Sequence, residues 1–222
     1  MKGNFGPESS GWYSRGYIPH FDQPDLIQLI TFRLNDAVPR ELVKQWKTEL
    51  AWVEKLSARD PRQAVLRKRI DKYEDAGYGA CWLRENKIAA IVQSTILHFD
   101  GERYRILAWC IMPNHVHVVV EIWEKSHLPV ILHSWKSYSA HEANWLLNRS
   151  GIFWFPEYHD RFVRNSEHLA ASMAYVEGNP VKAGLVRTKE EWQWGSAWER
   201  GRSRPQSVRI KQAAGTAALP AA

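Results

Sequence analysis

Apolar positions along the chain switch between two periods, and the switches lay out the elements. Leu26 to Arg33 alternates in short steps and predicts a first strand. After Pro39 the period lengthens, and Leu42, Val43, Trp46, Leu50 and Val53 fall on one helical face. Asp60-Pro61 supplies an N-cap residue followed by a proline at the first helical position, which predicts a second helix. That helix is basic (Arg62, Arg67, Lys68, Arg69, Lys72), which reads most simply as a solvated face; Gly77 and Gly79 break it. Ile88, Ile91, Val92, Thr95, Ile96 and Phe99 repeat at i, i+3 and i+4 and predict a core helix. Asp100-Gly101 is a turn, Arg103 to Met112 alternates as a strand, and Pro113-Asn114 turns it back into a valine-rich run, predicting an antiparallel hairpin. Ser126 is placed to cap a helix that buries Leu128, Ile131, Leu132, Trp135, Ser139 and Leu146. Phe153 to Val163 reads as a short strand. Asn165 or Ser166 caps a last helix carrying Leu169, Met173 and Val176 inward, expected to end by Asn179 because Pro180 disfavours helix in the residue before it.

This order of strand, helices, hairpin, helix, strand and helix suits an antiparallel sheet with helices packed on one face, an α+β sandwich of the ferredoxin-like kind. Residues 1–24, rich in Gly, Ser, Pro and Tyr without period, read as a flexible N-terminal arm. Residues 25–199 form the main domain, with a helical insertion at about 38–78. From 200 to 222 the composition shifts to Arg, Ser, Pro, Gly and Ala, and the segment is expected to be a disordered basic and Ala-rich tail.

Composition narrows the picture. The 222 residues suffice for one domain with a full core. A net charge of +6 suggests a polyanionic partner. The twelve Trp are more than a core needs, so some are candidates for stacking platforms. The two cysteines, Cys81 and Cys110, match no metal or redox spacing and read as reduced core thiols of a cytoplasmic protein. No signal peptide opens the chain, and no apolar run is long enough for a membrane span.

The candidate chemistry lies in the valine-rich strand. His115 and His117 are two apart, so they project from the same face about 7 Å apart at Cα. Two imidazoles so placed are either two separately hydrogen-bonded side chains or the pair that holds one metal ion. Glu121 shares the face but lies about 13 Å from His117, too far for the same ion. A third His at 119, as a histidine-triad hydrolase needs, is absent: Val119 stands there. In the last helix Tyr175 and Asn179 are four apart and share a face. By itself such a tyrosine reads as packing.

Two motifs together resemble a known family. Met112-Pro113-Asn114-His115-Val116-His117-Val118 resembles the HUH motif (His, hydrophobic, His) of single-tyrosine transposases. Tyr175-Val176-Glu177-Gly178-Asn179-Pro180-Val181-Lys182-Ala183-Gly184-Leu185-Val186 resembles the second signature of the REP-associated tyrosine transposases, relatives of the insertion-sequence 200/605 transposases. The runs His159 to Arg164 and Trp192 to Ser196 also fit, and the resemblance covers roughly residues 26–198. The departures are Val176, where Ile is commoner, and a longer segment before Ile88.

The resemblance implies the HUH endonuclease fold and a metal-dependent single-stranded DNA endonuclease and strand-transferase, cutting beside a REP-like hairpin through a covalent phosphotyrosine. His115, His117 and Asn179 match the metal-binding positions, and Tyr175 matches the nucleophile. The implied ion is Mg²⁺ or Mn²⁺; imidazole ligands favour Mn²⁺, and Mg²⁺ is the more abundant. The implied partner is single-stranded or hairpin DNA, bound by a monomer or homodimer with no membrane. Lys136, Arg161, Arg164, Lys182 and Arg187 are the candidate phosphate contacts. The alternatives are a DNA-binding regulator on the same fold without catalysis, and a metal-dependent phosphohydrolase that uses water and leaves Tyr175 dispensable.

Overall fold

The computed structural model describes residues 11–14, 19–22, 26–51, 53, 56, 60–123 and 126–201. Two short strands, β1 (Gly11–Ser14) and β2 (Pro19–Asp22), pair antiparallel, so the segment expected to be a flexible arm carries a two-stranded ribbon. The main sheet has four antiparallel strands in the order β4-β5-β3-β6: β3 (Ile27–Arg33), β4 (Tyr104–Ile111), β5 (His115–Ile122) and β6 (His159–Phe162). With α3 (Asn86–Leu97) between β3 and β4, and α4 (Leu128–Leu146) between β5 and β6, this is the ferredoxin-like βαββαβ order. The expected α+β class and the β4–β5 hairpin are both present.

β5 is central and buried on both faces, which is why its valines run almost without a break. Val116, Val118, Val119 and Val120 are all fully buried, contributing roughly 1.5–3 kcal/mol each. The pleat sends Val116, Val118, Val120 and Ile122 to one face, where they meet Phe32, Trp109, Ile88, Val92, Leu132 and Trp135. That face is covered by α3 and α4. Val119 goes to the other face with Ala108, Cys110 and Met112, where α5 (Ser166–Lys182) covers them with Val176 and Met173. Placing all helices on one face is therefore corrected: α5 lies on the opposite face, because the odd positions of β5 carry an apolar set of their own.

α1 (Arg40–Glu49) starts after Pro39 as expected but buries no residue fully, and Val53 is exposed. α2 (Pro61–Asp75) is capped by the Asp60 side chain, which accepts from the Arg62 N–H. Most of its basic run is the solvated face expected, with Lys68 and Lys72 exposed, but one member is not. Arg62 pairs with Asp60, Arg69 with Glu49, and Arg67 turns inward to Asp71 and Glu74. His127, not Ser126, stands at the N-cap of α4, and Ala143 replaces Leu146 on the buried face. α5 is capped by Asn165, whose side chain accepts from the His168 N–H, but it runs through Pro180 to Lys182. Its stop is Gly184 at φ +70°. The Gly184 N–H bonds the Val181 carbonyl and the Leu185 N–H bonds the Pro180 carbonyl, a Schellman closure. A short helix α6 (Ser196–Gly201) extends two residues past the expected domain boundary. Its Arg200, inside the segment expected to be disordered, pairs with the buried Glu177. The rest of the tail lies outside the described residues.

Candidate active site

Strand register builds the floor of the site. In the β3–β5 ladder Thr31 is opposite His117 and Arg33 is opposite His115, so all four side chains share the α5 face. Both histidines are buried, and their Nε2 atoms are 3.0 Å apart. The protons on the rings can be placed from their neighbours. The Asn114 Nδ2 donates to the Tyr78 carbonyl at 2.9 Å, which fixes Oδ1 as the acceptor toward His115 Nδ1 at 2.7 Å. His115 Nδ1 therefore carries hydrogen, and its Nε2 keeps a lone pair. His117 Nδ1 bonds the Thr31 hydroxyl at 2.8 Å and can donate to it in the same way. Burial pushes both imidazoles below the usual histidine range, His117 furthest, with His115 as its next-largest cause. At neutral pH the site presents two uncharged nitrogens facing each other, the form in which imidazole binds a cation.

α5 forms the opposite wall. The Tyr175 ring centroid is 5.5 Å from that of His117. Burial raises the Tyr175 pKa, Asp71 adds to the rise, and Asn179 and Lys182 oppose it. Its hydroxyl is thus held protonated unless further positive charge is supplied. Asn179, one turn on, is completely buried. Its amide is close enough to favour the Tyr175 phenolate, yet no well-formed hydrogen bond reaches either Oδ1 or Nδ2. An unsatisfied buried amide ordinarily costs about 1–3 kcal/mol, so its retention here fits a position that meets a ligand.

The third wall is α2, from the insertion whose role the sequence leaves open. Asp75 Oδ1 is 3.8 Å from His115 Nε2, and its Oδ2 accepts from Lys182 Nζ at 2.7 Å. Asp75, His115 and His117 offer three ligand atoms within 4.8 Å of one another. Behind them, buried Glu74 receives Arg33 at 3.0 Å and Arg67 at 3.2 Å, and Arg67 also pairs with Asp71. This network clamps α2 onto β3. Asp75, Asn114 and Thr31 are the residues that sequence reasoning missed. Asn114 adjoins the histidine motif, and Thr31 is an alternating strand position, so both had a signal. Asp75 lies forty positions from His115 and had none.

The five candidate DNA contacts scatter. Lys182 is inside the site. Arg161, on the edge strand β6, and Arg164 and Arg187 lie outside it, at the surface. Lys136 is not near the histidines; its ammonium donates to the Phe155 and Pro156 carbonyls at 2.7 Å each. Several of the Trp are structural: Trp109, Trp135 and Trp154 are core residues, while Trp145 is 77% exposed.

These residues fit a divalent ion. Two donors 3.0 Å apart, each about 2.1 Å from a common ion, subtend about 90°, the angle of adjacent octahedral positions. Neutral imidazoles with a carboxylate and an amide are ligands for a hard or borderline cation.

The chain is similar to known proteins in sequence and in fold. Residues 82–179 match the family described as "Transposase IS200 like". A Haemophilus influenzae (strain ATCC 51907 / DSM 11121 / KW20 / Rd) protein named as a REP-associated tyrosine transposase is 23% identical over 121 residues, spanning 50% of this chain and 67% of that protein. A solved structure of a REP-associated tyrosine transposase bound to a REP hairpin superposes with a TM-score of 0.52 at 16% identity, covering 83% of this chain and 84% of the other. A 1.90 Å crystal structure from Deinococcus radiodurans R1, named as a transposase, gives a TM-score of 0.34 at 15% identity, over 75% and 96% of the two chains.

Proposed function

From the match of residues 82–179 to the family described as "Transposase IS200 like", we propose that this chain is a metal-dependent endonuclease and strand-transferase for single-stranded DNA that cuts beside a REP-like hairpin and holds the cut end on Tyr175. The observation that carries the reading is the facing pair of uncharged histidine nitrogens, with the His117 ring 5.5 Å from the Tyr175 ring. The hairpin in the substrate rests on the solved relative, which is bound to one.

Each residue type has a task. His115 and His117 hold the ion, with Asn179 as the candidate further ligand; when bound, the ion neutralises charge on the phosphate oxygens. Asn114 and Thr31 orient the two rings. Tyr175 Oη forms a bond to phosphorus as the bond from phosphorus to the leaving sugar oxygen breaks. The phenolic proton is lost, and the leaving oxygen gains one. Phosphotyrosine keeps a phosphodiester, so the reverse attack by a sugar hydroxyl rejoins a strand without ATP. The raised Tyr175 pKa makes the nucleophile quiescent until positive charge is brought near.

Cleavage of a labelled hairpin oligonucleotide in Mn²⁺ tests this. The expected result is cutting that chelator abolishes and that Tyr175→Phe abolishes with the fold intact. Full cleavage by Tyr175→Phe would favour the water-using phosphohydrolase, and hairpin binding without cleavage by the wild type would favour the regulator.

A further inference from the structure

His115, His117 and Asn179 come from β5 and α5. The insertion adds a third source of ligands. Resting on the metal reading of that site, we propose that Asp75 is a ligand of the same ion, delivered by α2 and held ready by Lys182.

Three observations converge on it. First, the carboxylate is aimed. Lys182 occupies Oδ2 at 2.7 Å, while Oδ1 faces His115 Nε2 at 3.8 Å. Second, the acceptor that Oδ1 faces is a lone pair. The Asn114 bond puts the proton of His115 on Nδ1, so Nε2 offers Asp75 no hydrogen. The lone pair of His115 Nε2 and the carboxylate oxygen of Asp75 face each other with no hydrogen between them and repel unless a cation lies there. The same carboxylate supplies a negative charge that two neutral imidazoles lack.

Third, the chain that follows Asp75 is built to fix it there. Gly77 adopts φ +71° and Gly79 φ +88°, turning the chain sharply after α2. A Cβ on Gly79 would meet the Asp36 carbonyl oxygen at 2.7 Å, so only glycine lets the turn lie against that loop. The Ala80 N–H then donates to Asp36 Oδ2 at 2.8 Å. Tyr78, between the two glycines, gives its carbonyl to Asn114. One turn thus places Asp75 and sets the tautomer of His115. On the other side of Asp75, Glu74 is locked to Arg33 of β3, directly across from His115. The insertion therefore completes the metal site.

Lys182 has a second place in this arrangement. It lies seven residues beyond Tyr175 on α5, and its ammonium is 5.7 Å from the Tyr175 ring centroid. Through Asp75 it joins the tyrosine helix to the ion site.

Direct metal binding tests the assignment. Mn²⁺ affinity is measured from the free-ion electron paramagnetic resonance signal for wild type, Asp75→Asn, and His115→Ala with His117→Ala. The expected result is at least a tenfold weakening in Asp75→Asn and loss of binding in the double histidine variant. Wild-type affinity in Asp75→Asn together with loss in the histidine variant overturns the role of Asp75 alone. Wild-type affinity in the histidine variant overturns the metal reading on which it rests. Asp75→Cys gives a readout that folding defects do not imitate: a thiolate ligand prefers soft ions. Cd²⁺ is expected to produce an ultraviolet thiolate-to-cadmium band beyond the wild-type background from Cys81 and Cys110. Cd²⁺ binding at the histidines without that band contradicts the proposal.

Discussion

Replacing Asn114 by alanine probes the site through a residue that touches neither the proposed ion nor the substrate. Asn114 is fully buried and its side chain makes two hydrogen bonds, from Nδ2 to the Tyr78 carbonyl at 2.9 Å and with His115 Nδ1 at 2.7 Å. Asn114→Ala leaves both partners buried without a bond. At about 1–3 kcal/mol for each orphaned group, the stability loss is about 2–6 kcal/mol. The functional loss is separate. Without the Oδ1 acceptor, His115 is free to move its proton to Nε2, the atom that faces His117. Outer-shell partners of metal-bound histidines are worth about 10–100-fold in affinity. Urea unfolding gives the first quantity, and Mn²⁺ titration of the still-folded variant gives the second. Mn²⁺ affinity within twofold of wild type, with the stability loss present, would show that Asn114 is only packing and refute the tautomer argument.

Three further outcomes are expected. Glu74→Ala strands Arg33 beside Arg67 and should destabilise the fold by about 3–5 kcal/mol in urea; a loss below about 1 kcal/mol would mean the network does not clamp α2. Because burial raises the Tyr175 pKa, the unfolded chain loses this proton first as pH passes about 10, so stability should fall there more steeply in wild type than in Tyr175→Phe; identical slopes refute the buried phenol. In competition at about 0.2 M salt, where phosphate contacts weaken, hairpin DNA should resist displacement by a fully paired duplex of the same sequence, and equal competition contradicts the single-strand preference.

The centre of the sheet was legible from the apolar steps of β3 and β4 and the valine-rich run of β5. His115 and His117 were paired correctly by the two-residue repeat alone, and the i, i+4 spacing put Tyr175 and Asn179 on one helix face. What escaped was set by contacts distant in sequence. Whether α5 lies with α3 and α4 depends on how both sides of β5 are filled, and an unbroken valine run hides that division. Pro180 looked like a stop because local propensity favours one, but Gly184 supplies the real closure four residues later. Arg67 looked solvated because its partners, Asp71 and Glu74, are acids on the same helix whose inward direction only packing reveals. Asp75 was invisible for the same reason.

The central claim is that Tyr175 takes the phosphate, and the most direct measurement is peptide mapping of the protein after reaction. Protein incubated with a hairpin oligonucleotide and Mn²⁺ is denatured, digested with nuclease and protease, and examined by mass spectrometry. The account predicts a nucleotide-phosphate mass on the peptide that contains Tyr175, absent in Tyr175→Phe and in chelator. Cleaved DNA with no modified peptide, or a modification on any other residue, would contradict it.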